Sequence, residues 1–327
     1  MTWDERVTAV LDTAHGLTER QAGFLVTVML YSGVCMDRQY CAFAGIPHGR
    51  KSVDFFRLLV DRGYATVNRC RNNSARLFHI HYKPLYAAIE ERDSRHRKPT
   101  PLPRAIERLM VLDGVLCDRG QVWLGTEQEK LAHFTVKHQI ERHDLPSLTF
   151  RSADEETVRY FPDKLPIGID REGSYTFLYV VTRDGPIDFR PFLERHGELL
   201  RTLKRWTVRM LVPKHLARVA RRYHAAFREQ LATPLRPTNV EDLRWYFRTR
   251  RGGGREIDPE RFDQAVRAFA APRFRVLYRA WLEQGEPVLD ATLSTVVADK
   301  LERGFGQVEW RVLPHDYAQL LPLVGTA

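Results

Sequence analysis

"RYFPDKLPIGIDREGSYTFLYVVT", residues 159 to 182, decides how the middle of the chain is read. A short strand ends on Pro162-Asp163, a turn follows, and a second, wholly apolar strand runs from about Tyr175 to Val181. Beyond it, "IDFRPFLERHGELLRTL" reads as a helix, "TVRMLV" as a buried strand and "KHLARVARRYHAAFREQL" as a helix. Strands alternating with helices predict an α/β core. What chemistry that core supports turns on Asp163 and on what faces it.

A strand ending in Pro-Asp beside a second strand resembles the layout of metal-dependent nucleases of the PD-(D/E)xK type. That resemblance implies one carboxylate on each of two adjacent strands, with Glu-x-Lys on the second. Here the second strand has Tyr179 where a carboxylate should point and Val181 where the lysine should be, with Leu178 and Val180 between and beside them. One carboxylate makes a poor magnesium site, because a hard cation takes several oxygens in near-octahedral array. The expectation is a catalytically reduced domain without metal or cofactor. In the alternative, an active endonuclease, Asp163 and Lys164 are catalytic and hold Mg2+ with help from a displaced carboxylate: Glu155, Glu156, Asp170, Glu127 or Glu129.

The first hundred residues read as a winged helix-turn-helix. Thr18-Glu19-Arg20-Gln21 is a capping box. Ala22, Phe24, Leu25, Val28 and Met29 follow it as one apolar stripe, and Gly33 supplies a left-handed stop. A second helix, about Asp37 to Ala44, ends at Gly45. A third lies within "HGRKSVDFFRLLVDRG", with Val53, Phe56, Leu59 and Val60 facing inward. Two strands joined at Arg71-Asn72-Asn73-Ser74 make a hairpin, whose asparagines tolerate positive φ. A further helix from about Tyr82 to Glu91 closes the unit.

A groove-entering helix reads base edges with its first residues, so Arg50 and Ser52 are candidate base contacts. His48, Gly49 and Lys51 suit phosphates at the helix start, with Arg57 on the outer face. Arg69, Arg71, Asn72, Asn73 and Arg76 at the ribbon would lie along the backbone or in the minor groove. The excess of 51 Lys and Arg over 41 Asp and Glu gives a net charge of +10, which favours a polyanionic partner, double-stranded DNA first. A second basic face is expected on the helix from Lys214, where Leu216, Val219, Tyr223 and Phe227 form the buried stripe and Arg218, Arg221, Arg222 and Arg228 point outward.

"RDSRHRKPTPLPR" (92–104) is basic, carries prolines and has no periodicity, so it reads as a linker. "AIERLMVLDGVLCD" after it is an amphipathic helix, followed by a short apolar "VWL" and a helix from about Thr126 to His138. From about residue 238 the chain reads as mainly helical, with Trp245, Tyr246, Phe247, Phe262, Val266, Phe269, Tyr278 and Trp281 as core. "RTRRGGGR" (248–255) lacks the Lys-Ser/Thr of a nucleotide loop. His138, His143 and His196 have no Ser or Cys in a catalytic context. The four cysteines show no CxxC pairing and read as reduced thiols, and no apolar run reaches the length of a membrane span.

Winged helix, linker, amphipathic helix, a strand ending in Pro-Asp, an apolar strand, a helix, then "WTVRMLVPKHLARVARRY" together resemble the replication–relaxation family of plasmid and mobile-element proteins, over about residues 15 to 230. The resemblance implies a bacterial, cytoplasmic DNA-binding protein acting in replication, transcription control or mobilisation of a mobile element. The family usually carries an acid in the strand after Pro-Asp, and Tyr179 and Val181 depart from that. The expected class is mixed α+β and α/β: a winged helix-turn-helix over 1–92, a linker over 93–101, a degenerate PD-(D/E)xK nuclease-like α/β domain over 102–233 and a helical region over 234–327. A homodimer, or a protein partner docked on the C-terminal helices as on a scaffold, completes the expected partners.

Overall fold

The structure is a computed structural model and describes residues 1–69, 75–118, 120–151, 156–252 and 258–317. Helix α1 (Trp3–Thr13) starts behind a Thr2–Glu5 capping box, and α2 (Glu19–Tyr31) behind the Thr18–Gln21 box read from the sequence. Gly33 follows α2 at φ +75°, and a Cβ there would meet the His96 carbonyl oxygen at 2.3 Å. Conformation and close approach both demand glycine at that point.

Strand β1 (Val34–Met36), helices α3 (Asp37–Ala44) and α4 (Arg50–Asp61), then strands β2 (Ala65–Arg69) and β3 (Arg76–Ile80) come next. The three strands form one antiparallel sheet in the order β1-β3-β2. Helix α3 ends on Gly45 in the left-handed region. The closing helix α5 spans only Lys83–Ala88, shorter than the sequence suggests, and its Tyr86 donates to the Ile80 carbonyl at 3.0 Å.

The segment read as a linker runs over the surface but is pinned at its middle by one buried residue. It forms a 3-10 turn over Arg95–Arg97, and His96 is only 6% exposed. The His96 carbonyl lies 3.1 Å from His79 Nε2, and Arg95 donates to the Lys164 carbonyl at 2.9 Å. Helix α6 (Leu102–Cys117) then packs against both parts of the molecule. Its Ile106, Leu109 and Leu112 share a core with Phe24, Met29 and Phe78 on one side and with Leu178, Val180 and Leu211 on the other.

The central part contains β4 (Val122–Leu124), α7 (Glu127–Leu131), β5 (Ser147–Arg151), β6 (Glu156–Tyr160), β7 (Ile167–Ile169), β8 (Tyr175–Val180), α8 (Phe189–Thr202), β9 (Trp206–Val212) and α9 (Ala220–Leu231). β6 and β8 are not neighbours. β6 pairs with β5 in a separate ribbon, while β7 lies antiparallel beside β8. β8 sits between β7 and β9 with apolar cores on both faces: Leu178 and Val180 on the α6 side, Tyr175 and Phe177 on the side of α8 and α9. Cover on both faces is why the strand carries no alternating polar residues.

Helices α10 (Pro237–Gly252), α11 (Pro259–Ala268), α12 (Pro272–Gln284) and α13 (Pro287–Asp290) enclose a third core around Leu243, Phe247, Leu277 and Leu289. Tyr246 and Trp281 are buried there as expected, and Trp245, Phe262, Phe269 and Tyr278 pack at its edge. Val266, expected inside, is exposed. The C-terminal region is not helical throughout. After α14 (Val296–Glu302), strand β10 (Gly306–Val312) runs parallel to β9 over its whole length and completes the sheet β10-β9-β8-β7-β4. Lys300 Nζ donates to the carbonyls of Leu200, Arg201 and Leu203, satisfying the open end of α8. The fold is thus a mixed arrangement of helices and sheets. Among the described residues no helix is long and apolar enough to cross a membrane.

Candidate nucleic-acid interface and the Asp163 pocket

Helix α4 owes its orientation to Phe55, Phe56 and Leu59, which are buried, with Phe56 stacked on Phe78 of β3 at 4.1 Å. Val53 and Val60, expected inside, are half-buried. That register turns Arg50, Lys51 and Arg57 to solvent. The Arg50 side chain is 95% exposed and that of Arg57 65%, and each lies 3.5 Å from Asp54. Exposed pairs of this kind contribute at most about 1 kcal/mol, so both guanidinium groups stay available to an anion. His48 and Gly49 are exposed beside the helix start.

Two expected contacts have other employment. Ser52 is fully buried: its hydroxyl donates to the Gly49 carbonyl at 2.8 Å and accepts from the Gly49 amide at 3.2 Å. It closes the first turn of α4 and cannot reach a base. Arg76 forms a forked pair with Asp37 at 2.8 and 3.2 Å and lies over the Phe78 ring, fastening β3 to α3. Planar two-point pairing is among the stronger side-chain contacts, and a phosphate would have to compete with it. Arg71, Asn72, Asn73 and the Arg69 side chain lie outside the described residues.

On α9 and the 3-10 turn before it (Lys214–Val219), Leu216, Val219, Tyr223 and Phe227 are buried, while Arg218, Arg221, Arg222 and Arg228 are exposed. Arg218 lies 3.5 Å from Asp184. Among the described residues Arg221, Arg222 and Arg228 have no ion-pair partner.

Asp163 stands in the turn between β6 and β7, flanked by Phe161 at φ 47° and Lys164 at φ 57°. Left-handed backbone at two non-glycine residues is costly and persists only where the surroundings hold it. Here Phe161 is buried, its amide donates to the Pro146 carbonyl at 2.7 Å, and the Lys164 amide closes the turn on the Phe161 carbonyl at 2.9 Å. The carboxylate faces not a second acid but Arg195 of α8, whose Nη2 lies 2.6 Å from Asp163 Oδ1. The cavity beside it holds about 10 Å3, room for about one water molecule.

Among the described residues, the carboxylates considered as replacements have other partners or lie elsewhere. Glu127 accepts from the Tyr160 amide at 2.9 Å. Glu129 accepts from Gly125 and Thr126 and pairs with Arg6 at 2.7 Å. Asp170 accepts from the amides of Glu172 and Ser174 in the turn after β7. Glu155 lies outside the described residues, and Glu156 is exposed on the ribbon. Lys164 is exposed, and burial of part of its stem together with Arg95 lowers its pKa. Tyr179 packs on Phe189 and Phe192 at 4.5 and 5.1 Å, and Val181 is buried in the same core. Both positions that an acid and a lysine would occupy serve packing.

Two further titratable groups are buried nearby, Lys130, which sequence reasoning missed, and His196, which it read as non-catalytic. Lys130 of α7 is fully buried, donates to the Leu165 carbonyl at 2.6 Å and is pushed down to about 7 by burial and by Arg95. His196 is 4% exposed, bonds the Phe192 carbonyl through Nδ1 at 2.8 Å and is pushed down to about 4 by burial. Arg195 and Lys130 carry no local signal, since the bonds of Arg195 to Asp163 and of Lys130 to the Leu165 carbonyl arise only when α8 and α7 dock. No protein-family model, curated protein or solved structure matches the chain.

Proposed function

We propose that the chain is a duplex-DNA-binding protein, with residues up to about 90 acting as a winged helix and a nuclease-like α/β scaffold behind it whose pocket no longer holds metal. The observation that carries this reading is the presentation of Arg50, Lys51 and Arg57 on α4. The sequence of elements α2, β1, α3, α4, β2, β3 and the strand order β1-β3-β2 support the winged-helix assignment. In that assignment α4 enters the major groove, where its first residues meet base edges and phosphates. Arg221, Arg222 and Arg228 supply a second phosphate track, which adds affinity without reading sequence.

The reduced state of the α/β part is supported by the Asp163–Arg195 pair and by the small cavity beside it. A guanidinium neutralises the one carboxylate and occupies the side from which a cation would bind. The role in replication, transcription control or mobilisation follows from the resemblance to replication–relaxation proteins. Incubation of supercoiled plasmid with the protein and Mg2+ or Mn2+, alongside a gel shift on the same DNA, tests the reading. Retarded but uncut DNA is expected. Cutting that disappears in Asp163→Ala would establish the endonuclease alternative.

A further inference from the structure

After α7 the chain winds as a π-helix over Ala132–Lys137, with the His138 amide donating to the His133 carbonyl at 3.2 Å. Such turns are rare and concentrate at functional sites. An α-helix, at 3.6 residues per turn, places residues five apart on different faces. Here the wider winding brings the rings of His133 and His138 to 4.7 Å between centroids. Both direct Nε2 at one atom, Tyr175 Oη on β8, at 2.9 Å from His133 and 3.0 Å from His138. The phenol can donate to one ring nitrogen and accept from the other. What the unusual winding achieves is the convergence of three atoms of metal-ligating type, two imidazole nitrogens and a phenol oxygen, on one point.

We propose that His133, His138 and Tyr175 form a binding site for one divalent transition-metal cation of the Zn2+ class. Zinc bonds to such donors are about 2.0–2.1 Å long, which sets the edges of a tetrahedron near ~3.3 Å. The edges to Tyr175 need to open by only about 0.3–0.4 Å to reach that figure. On binding, the Tyr175 O–H bond breaks, an oxygen–metal bond forms and one proton passes to solvent. His138 is exposed, leaving the fourth position to water.

The test uses the untagged full chain, stripped with chelator and titrated with Zn2+ by calorimetry in two buffers of different ionisation enthalpy. Co2+ then serves as a spectroscopic probe. One cation per chain, about one proton released and tetrahedral-type Co2+ bands are expected. His133→Ala/His138→Ala should lose at least about 100-fold in affinity, beyond the ~10–100-fold typical of removing an outer-shell partner. Tyr175→Phe keeps the ring against Phe134, 5.4 Å away. It should abolish proton release and weaken binding by about 10-fold or more. If the double variant does not fold, Tyr175→Phe decides alone. Absence of saturable binding, or binding unchanged in these variants, would reduce the three groups to a hydrogen-bonded cluster.

Discussion

Arg195 Nη2 lies 2.6 Å from Asp163 Oδ1, with both side chains largely withdrawn from solvent. The pair ties the turn before β7 to α8. Removing one partner leaves the other charge in a site of low dielectric, so Asp163→Ala and Arg195→Ala should each cost about 3 kcal/mol in urea denaturation. Asp163→Leu/Arg195→Met should recover most of that loss, because an apolar pair of similar volume often replaces a buried ion pair without penalty. Single variants with unchanged midpoints would mean that the pair is solvated and holds nothing.

Arg76 separates stability from DNA contact. Its forked bond to Asp37 predicts that Arg76→Ala lowers stability by about 1–3 kcal/mol, the range for a lost hydrogen bond to a charged partner. DNA affinity at a temperature where the variant is folded should change little. Circular-dichroism melting and fluorescence anisotropy on the same sample check both halves.

Acid sensitivity follows from two buried histidines. Burial pushes His96 down to about 3 and His196 to about 4, below the ~6.5 of an unfolded histidine. The unfolded chain therefore binds more protons between pH 6.5 and about 4, and stability falls as pH falls through that window. Each histidine contributes a slope of up to about 1.4 kcal/mol per pH unit. Urea midpoints between pH 7 and 5 should show the decline, and His196→Gln should flatten it. A flat profile in the wild type would contradict the burial of both rings.

Lys130 gives a second window of the same sign at higher pH. With a folded pKa near 7 and an unfolded value near ~10.4, the unfolded chain binds the extra proton above pH 7, so stability rises with pH from there to about 10. Lys130→Met should raise stability at pH 7 and remove that part of the rise. Denaturation at pH 7 and 9 measures it.

The parts of the fold with local causes were readable from the sequence. The Thr18–Gln21 box, Gly45 after α3, the apolar stripe of α9 and the buried strand β8 each follow from a few neighbouring residues. Three-residue β1 is too short to show a period. β10, with Gln307 and Glu309 alternating with Val308 and Trp310, becomes a strand of the central sheet only because β9 offers it an edge. Residues 92–104 lack periodicity because a 3-10 turn held by His96 and Arg95 has none. The exposure of Arg50, Lys51 and Arg57 on α4 was legible for the same local reason, amphipathicity. The bonds of Ser52 to Gly49 and of Arg76 to Asp37 were not legible, because they depend on turn and sheet geometry. Nothing near Asp163 in sequence announces Arg195.

The most direct test measures duplex binding against salt for the wild type and for Arg50→Ala/Lys51→Ala/Arg57→Ala. Each phosphate contact contributes about 0.9 to the slope of log affinity on log salt. The account predicts measurable binding at low salt, and a slope shallower by about 2–3 in the triple variant. Binding indifferent to salt, or a triple variant with the wild-type slope and affinity, would contradict it.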